Sequence, residues 1–267
     1  MPHLMESTPA QLYEEALVPR LFRPQAERAV ELLALGAAEH VVDVACGTGV
    51  GARLAALRIG PHGRVAGVDS DAGMLDAARA ATEREFGAVP LEWYHAEAAH
   101  LPFGDAVFDA CLCLQGLQFF GDRQCALDEI TRVLKPGGRL VVSVWSALDR
   151  NPGHAAVYAA LQEQGLDTAS PQRGFELDAA ELRSLVERAR FDVCHLHAQR
   201  LAVTFESTEA FVNAIAGGAP YTRRVLEQLD SAARNDCLES AVRHLRRFAP
   251  STLLTLPTEV IFLHAVR

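Results

Sequence analysis

The stretch V-V-D-V-A-C-G-T-G-V-G at residues 41–51 constrains the fold more than any other part of this chain. β-Branched Val41, Val42 and Val44 predict a buried strand that bears one carboxylate, Asp43. The strand runs out into glycines at alternate positions, Gly47, Gly49 and Gly51. With no Cβ in the way, the backbone can turn sharply there and come close to something bulky and polar. A strand that empties into a glycine loop and then a helix is where open α/β sheets take nucleotide-like ligands.

The hydrophobic pattern extends this unit along the chain. Strands are predicted at 40–45, 64–68, 91–96, 108–114 and 139–145, with helices at about 49–58, 72–86 and 122–134. The last helix is expected to stop before Lys135-Pro136-Gly137-Gly138. Five strands alternating with helices imply βαβ units, a parallel sheet and right-handed crossovers. Apolar runs without strict alternation fit strands buried on both faces. Residues 9–35 read as helical, broken into pieces at Pro19 and Pro24. Beyond Trp145 the reading is helices at 153–165 and 178–190, a sixth strand at 192–205, helical segments across 207–249 interrupted at Gly217-Gly218-Ala219-Pro220, and a seventh strand at 258–266. The expected architecture is a doubly wound, mostly parallel seven-stranded α/β sheet with extra helices covering the active site. The expected division is an N-terminal helical cap (1–35), a ligand-binding core (36–146), and an acceptor-side region carrying the last two strands (147–267).

Composition narrows the class. Of 267 residues, 49 % are hydrophobic and 22 % charged, as in ordinary globular proteins. A net charge of −9 weighs against nucleic acid or an anionic membrane as the main partner. No apolar stretch has the length of a membrane span, and no basic-then-apolar leader pattern opens the sequence, so a cytoplasmic location is expected. Six cysteines without a C-x-x-C pair read as reduced thiols, with Cys111 and Cys113 on one core-facing side of a strand.

Two nucleotide ligands compete for the glycine loop. Gly47-x-Gly49-x-x-Ala52, followed by Asp69 at the end of the second strand, also satisfies the dinucleotide fingerprint. With either ligand a carboxylate at the tip of that strand can accept hydrogen bonds from both ribose hydroxyls; the alternative for Asp69-Ser70-Asp71 is a helix N-cap. Three features tip the balance away from a dinucleotide. A buried Asp43 needs donors or a cation, and an ammonium group suits it where a pyrophosphate does not. Glu97-Ala98 at the tip of the third strand can meet an adenine edge. Polar and aromatic Gln115-Gly116-Leu117-Gln118-Phe119-Phe120 follow the fourth strand.

In order, D-V-A-C-G-T-G, V-D-S-D-A-G-M-L, the L-P-F turn, F-D-A-C-L-C-L-Q-G-L-Q-F-F and R-V-L-K-P-G-G-R-L resemble the motifs of class I S-adenosylmethionine-dependent methyltransferases, most closely the ubiquinone/menaquinone-biosynthesis-like (type 11) group. The resemblance covers roughly residues 10–146 and rests on five motifs in register. It implies S-adenosylmethionine as cofactor, with S-adenosylhomocysteine as product. It places the methionine part of the cofactor on the loop of Asp43, Ala45, Gly47, Thr48 and Gly49, and the ribose at Asp69 with Ser70 beside it. Met74 would pack on adenine, Glu97 and the backbone of Ala98 would read its edge, and Gln115 would lie beside the methionine moiety. The chain departs from the family pattern in having Glu97 where Asp is usual and Ala96 where Gly is usual.

Methyl transfer from a sulfonium is an in-line displacement that depends mainly on alignment in a dry pocket, so an obvious catalytic group is not required. His154 is a candidate base, against a surface or helix-capping role, and Gln118 is a weaker polar candidate. Tyr13, on the N-terminal helix, is a candidate to lie over the cofactor, against simple packing. Phe119, Phe120, Trp145 and Tyr158 are candidates for an acceptor pocket or for core. His195 and His197 share one side of a strand, which suits a metal pair only with a third ligand. Arg243, Arg246 and Arg247 read as a solvated helix face. The expected function is methyl transfer to a small-molecule acceptor through an O, C or N nucleophile, a quinone-like ring or natural-product phenol among them, by a possible homodimer. The competing readings are an S-adenosylmethionine-binding protein without turnover and an NAD(P)-dependent oxidoreductase.

Overall fold

The computed structural model describes residues 8–86, 91–249 and 252–267. Seven strands, β1 (His40–Val44), β2 (Arg64–Asp69), β3 (Leu91–His95), β4 (Phe108–Leu114), β5 (Leu134–Trp145), β6 (Asp192–Phe205) and β7 (Leu254–Val266), form one sheet in the order β3-β2-β1-β4-β5-β7-β6. β1 pairs in parallel with both β2 and β4, β2 with β3 and β4 with β5, while β5 and β7 are antiparallel. The strand order therefore reverses between β1 and β4, the place where ligands bind in such sheets.

Two compact units divide the chain. One comprises residues 1–21, 146–176 and 200–259; the other comprises 22–145, 177–199 and 260–267. The break near the N-terminus falls at Leu21/Phe22, not at residue 35, because the helix Arg23–Leu33 buries Ala26, Ala29, Val30 and Leu33 and packs on the helix Val50–Ile59 and on β5.

Within the larger unit the two faces of the sheet carry different loads. Val42, Val44, Ala66, Val68, Cys111, Cys113, Leu140, Val142 and Val144 share one continuous core with Leu127 and Ile130 of the helix Arg123–Val133 and with Leu182, Leu185 and Val186 of the helix Ala179–Arg188. The intervening residues of the strands face the other way. There, register aligns Leu112 with Asp43, Asp43 with Gly67, and Gly67 with Trp93, in one row across four strands. Burial on both faces is what makes β1 and β4 read as apolar runs.

The smaller unit has its own core. His154, Tyr158 and Phe175 pack together, Phe211 stands edge-on to both His154 and Phe205, and a Cβ at Gly153 would lie 2.6 Å from Phe211.

Two expectations fail for identifiable reasons. Lys135-Pro136-Gly137-Gly138 ends the helix at Val133 but does not precede the strand; it lies within β5. The register slips between Phe108↔Leu134 and Ala110↔Arg139, Gly137 takes the left-handed φ of 79°, and its amide donates to the Arg267 carbonyl at 2.9 Å. Pro19 does not break its helix. It sits inside a ten-residue π-helical stretch, Tyr13–Phe22, which runs past it without interruption.

Candidate functional site

At the carboxyl end of β1 the chain leaves the sheet through Ala45 (φ 57°), Gly47 (φ 54°) and Gly49 (φ 83°), all left-handed. Three contacts fix this turn. The Cys46 amide donates to the Val68 carbonyl at 3.0 Å, the Gly49 amide to the Cys46 carbonyl at 2.8 Å, and the Gly47 amide to Asp69 Oδ2 at 2.7 Å. The three glycines then serve different purposes. A Cβ at Gly47 would meet nothing within 4 Å, so this glycine opens outward. A Cβ at Gly49 would overlap the Trp93 indole, and one at Gly51 would stand 2.7 Å from Asp43 Oδ2. Gly47 alone offers a ligand close access to the backbone, while Gly49 and Gly51 make room for protein.

Asp43 is 1 % exposed and accepts a hydrogen bond from the Ala52 amide at the start of the helix Val50–Ile59, yet its Oδ1 has no partner. Burial, aided by the charge of Asp69 and opposed by the Ala52 amide and Arg53, pushes its carboxyl up to about 7. Thr48 is equally buried and its Oγ1 is likewise unpartnered. Polar atoms sealed in this way are costly unless a ligand satisfies them.

Asp69 Oδ2 accepts from the Gly47 amide at 2.7 Å and Oδ1 from the Asp71 amide at 2.9 Å, with the Ser70 amide also beside the carboxylate. Burial raises its carboxyl, against those amides. The N-cap role belongs to Asp71, whose Oδ1 accepts from Gly73 and Met74 ahead of the helix Ala72–Phe86. Met74 is buried on the first turn of that helix. The Ala96 amide donates to the Asp69 carbonyl at 3.1 Å, and His95 Nε2 lies 2.9 Å from the carbonyl of the exposed Ser70; these contacts tie the tip of β3 to that of β2. Glu97 follows, exposed, and Ala98 is half-buried. The turn Leu101–Phe103 beyond them is pinned by Glu129, which accepts from the Leu101 amide, and by Arg132, which donates to the Phe103 carbonyl.

Beside the glycine loop β4 gives way to Gln115, also left-handed (φ 56°), with its amide donating to the Ser143 carbonyl at 2.8 Å. The turn passes so near that a Cβ at Gly116 would be 2.6 Å from Ala45 Cβ. A file of amides runs inward: Gln118 Nε2 donates to Gln115 Oε1, and Gln115 Nε2 donates to Gln25 Oε1, both at 2.8 Å. Gln118 is fully buried, and its Oε1, like the Ser143 hydroxyl, has no partner.

A family model described as a methyltransferase domain matches residues 42–142. This stretch is similar to that family. Across 127 residues the chain is 39 % identical to a demethylmenaquinone methyltransferase of Clavibacter sepedonicus, covering 48 % of each protein. It is 37 % identical over 106 residues to an O-methyltransferase of Penicillium expansum, covering 39 % of this chain and 37 % of that one. The chain thus matches less than half the length of either relative. An Aquifex aeolicus structure described as a SAM dependent methyltransferase superposes with a TM-score of 0.56 at 18 % identity, covering 72 % of this chain and 92 % of that one. The shared feature is the Rossmann-like methyltransferase fold.

Every residue expected to touch the cofactor except Tyr13 lies in the unit that carries the methyltransferase domain. Tyr13 is in the other unit, where its backbone packs against Gly218. His154 is there too. It is neither a surface nor a capping residue: its ring is buried against Phe175, and burial lowers its imidazolium to about 4. Tyr158 and Trp145 are also core, Trp145 against Phe22 at 6.1 Å. His195 is exposed and stacks on His264, His197 stacks on Phe262, and no group of three metal-ligating side chains occurs among the described residues. Sequence reasoning missed Arg53, 2 % exposed, which donates from Nη1 to the Thr48 carbonyl beneath the loop and pairs through Nε with Glu85 at 3.0 Å. An arginine on the first turns of the otherwise apolar stretch V-G-A-R-L-A-A-L was the available signal. Gln25 carried no comparable signal.

Proposed function

We propose that the chain is an S-adenosylmethionine-dependent methyltransferase that acts on a small aromatic acceptor, a quinol-like or phenolic ring, at oxygen or carbon. One observation carries this reading: the carboxylate behind the glycine turn is sealed from water with one oxygen unpartnered. That site calls for a cation with N–H donors. The α-ammonium of S-adenosylmethionine meets the requirement, whereas the pyrophosphate of a dinucleotide would set like charge toward Asp43.

The residues present fit the rest of the cofactor. Asp43 and Thr48 would hold the amino-acid end, with Gly47 allowing close approach. Asp69, at the tip of β2, would accept from the ribose hydroxyls. Met74, Glu97 and Ala98 would bound the adenine, and Gln115 would flank the methionine chain. When bound, S-adenosylmethionine supplies an activated methyl group on sulfur. The protein's task is then to align an acceptor and exclude water, which is worth up to about 7–11 kcal/mol. His154, with an imidazolium near 4, is a weak proton acceptor, and the proposal assigns it no base role. The acceptor class is taken from the similar proteins, an O-methyltransferase and a demethylmenaquinone methyltransferase. A net charge of −9 favours a small acceptor over an anionic polymer.

Native mass spectrometry of the purified protein should show S-adenosylmethionine or S-adenosylhomocysteine bound. Transfer of a labelled methyl group to members of a panel of hydroquinones and phenols should follow. Reduced nicotinamide cofactor bound in their place would overturn the assignment.

A further inference from the structure

The row Leu112–Asp43–Gly67–Trp93 carries an arrangement that no cofactor contact explains. Gly67 is buried in the middle of β2, where glycine weakens a strand and calls for a local reason. The reason is the neighbouring indole. A Cβ at Gly67 would overlap Cε3 and Cζ3 of Trp93 and lie 3.1 Å from Cys46 Sγ. The same ring continues to the loop, where a Cβ at Gly49 would overlap its Cη2 and stand 2.8 Å from Cζ3. Trp93 thus lies across one glycine in the sheet and ends against another in the turn, occupying the space that both leave.

We propose that Trp93 is a positioning residue for the cofactor loop: its indole bridges Gly67 and Gly49 and holds the Cys46–Gly49 turn in the shape that the ligand meets. The inference rests on reading that turn as the cofactor loop. Two amides report the shape directly, since Gly49 donates to the Cys46 carbonyl and Gly47 to Asp69. A shorter side chain at 93 leaves the turn unsupported on its inner side, and both hydrogen bonds then open more often.

The test is a size exchange on the full chain, read by amide hydrogen exchange at Gly47 and Gly49 and by calorimetric titration with S-adenosylhomocysteine. Trp93→Leu should speed both amides at least tenfold and weaken binding at least tenfold, while Trp93→Phe stays within about threefold of wild type. Leu185→Ala, in the core on the opposite face of the sheet, controls for a general loss of stability and should leave both readouts within twofold at a matched fall in Tm. Gly67→Ala alone should loosen the turn, and adding Trp93→Leu should restore part of the loss by giving the new methyl room. Should Trp93→Leu not fold, Gly67→Ala and Trp93→Phe carry the same comparison. Wild-type exchange at both glycines in Trp93→Leu, or equal acceleration in Leu185→Ala, refutes the positioning role. If the wild-type protein takes up no S-adenosylhomocysteine, the functional reading fails, and amide exchange still decides the role of Trp93.

Discussion

Binding of the cofactor should drive a proton off Asp43. In the free protein burial holds this carboxyl near 7, so at neutral pH it is about half protonated. An ammonium group against Oδ1 favours the ionised form. If the bound site is fully ionised, proton release follows the free-state titration, at about 0.9 proton per cofactor at pH 6 and about 0.5 at pH 7. The cost of deprotonation subtracts from affinity by about 1.4 kcal/mol at pH 6 and about 0.4 kcal/mol at pH 7, so binding should tighten roughly fivefold across that unit. An α-amino group titrates at about 7.7–8.0, so the ligand stays mostly charged in this window. Titration calorimetry in two buffers of different ionisation enthalpy measures the release. Asp43→Asn should abolish most of it and flatten the pH dependence. A buffer-independent binding enthalpy at pH 6 in the wild-type protein would show that Asp43 meets no cation, and the assignment of the amino-acid end would fall with it.

Removing Asp69 with Asp69→Ala should weaken cofactor binding by about 1.5–3 kcal/mol, the range for hydrogen bonds to a charged group, since the ribose hydroxyls and the Gly47 amide lose their acceptor together; unchanged calorimetric affinity would remove Asp69 from the site. Arg53→Met should lower unfolding free energy by about 1.5–3 kcal/mol through the freed Thr48 carbonyl and the lost ion pair with Glu85, as read from urea midpoints. His154 has its folded pKa depressed from 6.5 to about 4, so the stability this contributes is full above pH 6.5 and drains away as pH falls toward 4. His154→Phe should therefore flatten the acid side of the stability curve by up to about 3 kcal/mol, at 1.36 kcal/mol per pH unit, and thermal scans from pH 4 to 7 that kept the wild-type slope would refute it. Asp43 acts in the opposite sense. Its folded pKa is raised, so stability falls as pH rises from about 4 to 7, and Asp43→Asn should gain on wild type by up to about 4 kcal/mol across that span.

Much of the sheet was legible because buried parallel strands declare themselves as apolar runs. Phe108–Leu114 and Asp192–Phe205 fall where the residues predict them, and β1, β2 and β3 within a residue. The errors lie where tertiary pairing overrides local signals. Lys135-Pro136-Gly137-Gly138 is chemically a turn, yet the chain end at Arg267 pairs with it and draws it into β5. β7 starts at Leu254 instead of 258, although Pro257 lies within it. In the site, Asp43 and Asp69 stood out because a carboxylate in or at the end of an apolar strand is conspicuous. The Gln25–Gln115–Gln118 file was not readable, since two of its members are 90 residues apart. Nor could sequence divide the work of Gly47, Gly49 and Gly51, because what separates them is the neighbour each would strike.

The unpartnered atoms give the site its energetic logic. Asp43 Oδ1, Thr48 Oγ1, Gln118 Oε1 and Ser143 Oγ are buried without hydrogen bonds on β1, the glycine loop, the turn after β4, and β5. At about 1–3 kcal/mol each, such atoms cost an amount comparable with the whole stability of a domain, about 5–15 kcal/mol. These four lie at the reversal of strand order between β1 and β4 and its immediate neighbours, where Ala45 and Gln115 also hold left-handed backbone; other buried polar atoms without a hydrogen bond, such as Gln199 Oε1 on β6 and His264 Nε2 on β7, lie elsewhere in the sheet. Unmet polarity at the strand-order reversal is what a ligand can relieve when it binds. The energy withheld from folding there becomes available to binding, and Trp93 and Arg53, which are not among the ligand contacts, keep that region in shape.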